Sequence, residues 1–243
     1  MKRISFFQSL PLKGVGGSLL LCSILWLCAQ QASAQLKPSS RYVAYTMDTY
    51  NNDKMVKLGK GWGKSSIKVP NGGQSPDIVT LVKAFNQTWP TYIVGAVLDM
   101  AKDPKFTREV DEEFDTEIIV DRKNGFVSWD SGGTDGDSME ACVWRRNNGH
   151  RLFAIQVSSP VDPVISVICF YDYDPKTATL KPEASPVDSF KGTGAEYVSY
   201  TLPRVGKDFI ITEFTFDAYI KYIYTWNGTN PVYSKTTKEP IKE

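Results

Sequence analysis

Three Asn-Gly pairs, at 124–125, 148–149 and 227–228, punctuate the second half of the chain. Asn and Gly accept the positive φ that tight hairpin turns require, so each pair marks a reversal of the chain. The flanking segments "TEIIVDRKNGFVSWD", "MEACVWRRNNGHRLFAIQV" and "YIKYIYTWNGTNPVYSK" are rich in β-branched and aromatic residues. "PVISVICFYDYDPKTATLKPE", turning at Asp174-Pro175, and "YVSYTLPRVGKDFIITEFTF" add two more strand pairs. Strands joined in succession by short turns predict an antiparallel meander over about residues 115–236.

A helical segment precedes it, over about residues 76–102. Ser75 is placed to cap it, Pro76 suits the first helical position, and Asp77 favours the positive end of the helix dipole. Ile78, Leu81, Val82, Phe85 and Trp89 recur at helical spacing. Pro90 removes a backbone donor and pushes Trp89 out of the α region, which predicts a kink or two helices, about 76–88 and 91–102. Earlier residues read as a first strand at 42–47, then loop, with a short strand near Ile67–Val69. The expectation is a single α+β domain in which the helices cover one face of the meander.

The N-terminus carries Lys2, Arg3 and Lys13, then the apolar run "SLLLCSILWLCA", then "QQASA" before Gln35. This is the order of a secretory signal peptide, with cleavage expected after Ala34. The apolar run is short for a membrane span. Leu precedes both Cys22 and Cys28, which does not suit lipid attachment. The expected mature chain, 35–243, has no membrane span and lies in the periplasm or outside the cell. Residues 1–34 hold three of the 28 Lys/Arg and none of the 27 Asp/Glu, so the remaining charge is −2. That balance offers no general attraction to nucleic acid.

Cys142 and Cys169 remain. A two-residue turn at Asn148-Gly149 would set Cys142 opposite Ile155, and the next connection would bring Cys169 near Phe153. The cysteines then sit on strands one and three, about two strand spacings apart. That exceeds disulfide reach, so two buried free thiols are expected.

"GKGWGKSS", residues 59–66, has a phosphate-loop texture but three residues between Gly59 and Gly63 instead of four. The next residues, with Pro70, read as no helix, so no nucleotide is expected. "DSGGTDGDS" offers Asp130, Asp135 and Asp137 as weak calcium candidates, without the regular loop spacing. Arg145, Arg146, His150 and Arg151 cluster at a hairpin tip and suit an anion. His150 is the only histidine, and no nucleophile motif accompanies it. Glu109, Asp111, Glu112, Glu113, Asp115 and Glu117 read as a solvated acidic linker between helix and sheet. Aromatic residues alternate along 218–226, placing Tyr222, Tyr224 and Trp226 on one strand face with Ile220. Tyr171 and Tyr173 form a smaller pair. Such rings stack on sugars, though they equally suit sheet packing.

With the signal peptide, "CVWRRNNGHRLFAI" and "FYDYDPKTATLKPE" resemble uncharacterised secreted proteins of Bacteroidetes-type gut bacteria. The resemblance implies an envelope or extracellular setting and carries over no catalytic residue. From the residues themselves, the expected function is a secreted, non-enzymatic module without cofactor. It would bind a glycan or a protein partner through Tyr222, Tyr224, Trp226, Tyr171, Tyr173, Arg145 and Arg151. The alternatives are a polysaccharide hydrolase using paired carboxylates, which needs two of them in one cleft, and a structural envelope protein.

Overall fold

The computed structural model describes residues 65–113, 115–132, 137–159, 165–184, 190–195 and 197–241, with the strand residues 46–47 and 55–56. Two short strands, β1 (Thr46–Met47) and β2 (Met55–Val56), pair with each other. β3 (Ile67–Lys68) is followed by α1 (Ile78–Thr88) and α2 (Tyr92–Met100). Seven strands come next: β4 (Arg108–Asp111), β5 (Thr116–Asp121), β6 (Phe126–Asp130), β7 (Ser138–Arg145), β8 (Arg151–Ser159), β9 (Ile165–Asp174) and β10 (Thr179–Glu183). Four more close the chain: β11 (Tyr197–Thr201), β12 (Phe209–Phe214), β13 (Ala218–Trp226) and β14 (Pro231–Pro240).

The strands form two large sheets where the sequence predicted one meander. The first has eight strands in the order β3-β10-β9-β8-β7-β6-β5-β4, and the second four in the order β11-β12-β13-β14. All their pairings are antiparallel. β3 and β4, consecutive strands with the helices between them, form opposite edges of the large sheet.

The large sheet is buried on both faces, which explains the second sheet. One face packs Val120, Met139, Phe153, Ile155, Tyr171 and Tyr173 under Ile78, Leu81, Phe85, Val94 and Val97 of the helices. The other packs Phe126, Cys142, Trp144, Ala154 and Phe170 against Tyr200, Phe209, Ile211 and Tyr224 of the small sheet. Strands covered on both faces lose their alternation and read as continuous apolar runs. "RLFAIQV" and "SVICFY" have that texture.

Two helices form, divided at Pro90 as expected. Their caps correct the sequence reading: Asp77, not Ser75, caps α1, its Oδ1 accepting from the Thr80 N–H at 2.7 Å. Thr91 caps α2, its hydroxyl oxygen accepting from the Val94 N–H at 3.3 Å. The acidic run is also corrected. Residues 108–111 and 116–121 are paired strands, joined by a turn, and Arg108 Nε donates to Glu117 Oε1 at 2.6 Å.

The β7–β8 turn has three residues, 147–149, where two were expected. The Arg146 N–H donates to the His150 carbonyl at 3.0 Å, and Gly149 takes φ +84°. An odd loop shifts the register by one and reverses which face each side chain meets. Cys142 therefore lies opposite Ala154, and Cys169 opposite Ile155. Both cysteines are buried and free, as expected, but on opposite faces of the sheet. Among the described residues, no helix is long and apolar enough to cross a membrane.

Candidate functional site

The face of the large sheet that meets the small one changes character along its strands. The pairings Phe126↔Cys142, Cys142↔Ala154 and Ala154↔Phe170 make an apolar row. One step along is Ser128–Glu140–Gln156, and beyond it Glu117–Asp130–Ser138–Ser158. The small sheet seals the apolar row. The two polar rows instead face a cleft of about 660 Å³, walled on its other side by Tyr200, Leu202 and the turn to Asp208.

Glu140 lines this cleft. The Leu202 N–H donates to its Oε2 at 2.6 Å. Burial pushes its carboxyl up to about 7, against the pull of the Leu202 bond and with a further push from Asp130. Asp130 itself is exposed. Gln156 is 3% exposed, and its Oε1 meets no hydrogen-bond partner among the described residues. The Tyr200 hydroxyl is in the same position, and burial raises its pKa. Buried polar atoms are normally paired, so two orphans lining one cleft set it apart from ordinary packing. The cations at the rim are partly spoken for: Arg204 Nε donates to Asp121 Oδ2 at 3.1 Å.

Of the residues singled out from the sequence, Asp130 and, from the acidic run, Glu117 line this cleft. Tyr171 and Tyr173 are corrections, because both are 0% exposed under the helices. The Tyr173 hydroxyl donates to the Gly73 carbonyl at 2.6 Å. Tyr222, Tyr224 and Trp226 do share a face, but it is turned into the sandwich. Tyr224 is buried, Trp226 stacks on Trp144 at 5.7 Å, and Tyr222 meets the Phe190 ring at 4.7 Å. Their rings are occupied by the protein's own packing and present no open platform.

The basic cluster is divided too. Arg145 and Arg151 lie opposite each other where β7 and β8 meet their turn, and Arg151 bonds the Ser75 hydroxyl. Arg146 points inward, its side chain 6% exposed. Its Nη1 donates to Asp172 Oδ1 at 2.5 Å, its Nη2 to Glu183 Oε1 at 2.7 Å and Asn230 Oδ1 at 2.5 Å, and its Nε to the Thr229 carbonyl at 2.9 Å. His150 Nδ1 lies 2.7 Å from Asp172 Oδ2. Burial works against the Arg146 charge, but Glu183 and Asp172 outweigh it, and its pKa stands above the ordinary value. This guanidinium clamps the protein together and is saturated, so it offers no grip to an anion.

A second buried carboxylate, Glu213, closes the far end of the sandwich. It accepts from the Thr193 N–H at 2.8 Å, the Thr193 hydroxyl at 3.0 Å and the Tyr222 hydroxyl at 2.8 Å. Gly192 lets the chain approach, since a Cβ there would collide with Glu213 and its φ is +53°. Gly192→Ala is expected to lower the urea-unfolding free energy by about 1–2 kcal/mol for the left-handed backbone alone. It should also displace the Thr193 donors.

Asp135 and residues 59–64 lie outside the described residues. Ser66 leads into the strand β3 and not into a helix, as a phosphate loop would require. The Asp137 carbonyl accepts from the Ser131 N–H at 3.1 Å, closing the stem of the acidic loop. Among the described residues, no group of three His, Cys, Asp or Glu side chains is placed to hold a metal ion. Comparison of the chain with protein-family models, with curated proteins and with solved structures found no match.

Proposed function

We propose that the protein is an exported glycan-binding module whose ligand lies in the cleft between the two sheets. The observation that carries this reading is the pair of buried, unpartnered polar atoms, Gln156 Oε1 and the Tyr200 hydroxyl, beside two rows of acceptor-rich side chains. Glu117, Asp130, Glu140 and the Gln156 carbonyl favour a ligand rich in hydroxyl donors. Val205, 80% exposed at the rim, adds apolar surface for the C–H faces of a sugar. Carboxylates outnumber free cations here, which disfavours a phosphorylated or acidic ligand. The setting, periplasmic or extracellular, follows from the leader-like N-terminus.

The test is isothermal titration with neutral oligosaccharides, comparing the protein with Gln156→Leu. An orphaned acceptor costs stability, about 1–3 kcal/mol, so removing it should leave the thermal midpoint unchanged or higher. Binding should weaken roughly ten-fold, the usual loss for one buried hydrogen bond of about that size. Absence of binding across neutral oligosaccharides, or equal affinity in the variant, sinks the reading.

A further inference from the structure

We propose that the cleft also hydrolyses a glycosidic bond with inversion at the anomeric carbon, Glu140 donating the proton and Asp130 accepting one from water. The proposal rests on the glycan reading above and adds chemistry to it. Asp130 pairs with Ser138 and Glu140 with Ser128, so the two carboxyl residues are diagonal neighbours on adjacent antiparallel strands and share a face. Diagonal positions lie about 7–8 Å apart. That is a backbone spacing, and two side chains projecting from such positions into one cleft can set their carboxyl groups about 6.5–9.5 Å apart, the separation that leaves room for a water in inverting glycosidases.

The two environments divide the roles. Glu140 is enclosed between Ser128, Gln156 and Leu202, and burial keeps its proton on to about 7. Asp130 is open to solvent. One desolvated acid beside one solvated carboxylate is the arrangement that lets two identical groups act as acid and base at one pH. The buried orphans, Gln156 Oε1 and the Tyr200 hydroxyl, line the same cleft and supply hydrogen bonds for sugar hydroxyls.

The step balances without any other reactant. The glycosidic C–O bond breaks, and its electron pair stays on the leaving oxygen, which takes the Glu140 proton. Water oxygen bonds the anomeric carbon from the opposite face, and the proton it sheds goes to Asp130. Exchange with solvent then returns Glu140 to the acid and Asp130 to the carboxylate.

The experiment incubates the protein with cello-, xylo-, manno- and chito-hexaose, measuring binding by titration and new reducing ends by colour assay. Expected are binding and turnover of at least one, an α-anomer released first from these β-linked substrates in the proton NMR spectrum, and loss of turnover by roughly a hundred- to ten-thousand-fold in both Glu140→Gln and Asp130→Asn. Both variants keep a hydrogen-bonding amide in place of the carboxyl, so binding should weaken far less than turnover, a split that a merely structural role would not produce. Binding without turnover by the unaltered protein overturns the hydrolysis and leaves the module reading intact. Binding of none of them overturns both. Release of the β-anomer first, or full turnover by either variant, overturns the assignment of this pair.

Discussion

Arg146→Ala is expected to destabilise the protein by about 3–5 kcal/mol, a large fraction of the total stability of an ordinary domain. The guanidinium joins four parts of the chain: its own turn, Asp172 on β9, Glu183 on β10 and the β13–β14 turn at Thr229 and Asn230. Removing it leaves two carboxylates facing each other without their counter-charge, and this mutual exposure, more than the lost bonds, sets the cost. Arg146→Lys is expected to recover little, because one ammonium cannot reproduce a fork that bonds several acceptors at fixed angles. Urea denaturation reads the effect directly. A loss below about 1 kcal/mol, the size of a surface ion pair, would mean that Asp172 and Glu183 are solvated and that the clamp is not a structural centre.

The protein should lose roughly 3 kcal/mol of stability between pH 4.5 and pH 8 through Glu140 alone. Its carboxyl is raised from 4.5 to about 7 in the folded state. Between those values the native state keeps a proton that the unfolded chain has released. Stability therefore falls as pH rises through this window, at about 1.36 kcal/mol for each unit between the two pKa values. The contribution is fully present below about 4.5 and gone above about 7. Glu140→Gln keeps an oxygen for the Leu202 N–H and removes the titration. It should flatten this part of the profile and make the variant the more stable protein at pH 8. The other charged groups around the cleft, Glu117, Asp130, Arg204, Lys207 and Asp208, are common to both proteins, so the difference between the two curves isolates Glu140. Identical curves would show that Glu140 is hydrated in the folded state.

Hairpins are local, and the turn chemistry around Asn124, Asn148 and Asn227 located the strand pairs well. Pro90 likewise marked the division of the helical segment. Register was less legible: a turn of three residues and one of two share the same Asn-Gly signature, and the difference exchanges the faces of Cys142 and Ala141. The second sheet was visible only indirectly, in strands such as "RLFAIQV" that are apolar on both sides. Aromatic alternation along 218–226 does put Tyr222 and Tyr224 on one face, opposite Ile211 and Phe209. Sequence could not say that this face meets Trp144 and Phe170, because that contact is set by how the two sheets dock. The cleft had a quieter signal. Glu140 in "SMEACVWR" and Gln156 in "RLFAIQVSS" are polar residues inside otherwise apolar strands, and such interruptions carry more information than the acidic and basic clusters at exposed turns. The Arg146 clamp had no local signature, since its partners Asp172, Glu183 and Asn230 stand 26 to 84 residues away.

The placement of β3 has a consequence for the order of assembly. Along the large sheet from β4 to β10 every strand pairs with its neighbour in sequence, so this part can zip hairpin by hairpin with little loop entropy to overcome. β3 is made before all of them yet pairs with β10, Lys68 meeting Thr179. Its edge stays unfinished until the last strand of the sheet is in place. The helices between β3 and β4 then act as a strap drawn across the completed sheet and fastened at both borders. The first strand of this sheet to be synthesised is thus the last of its strands to be secured.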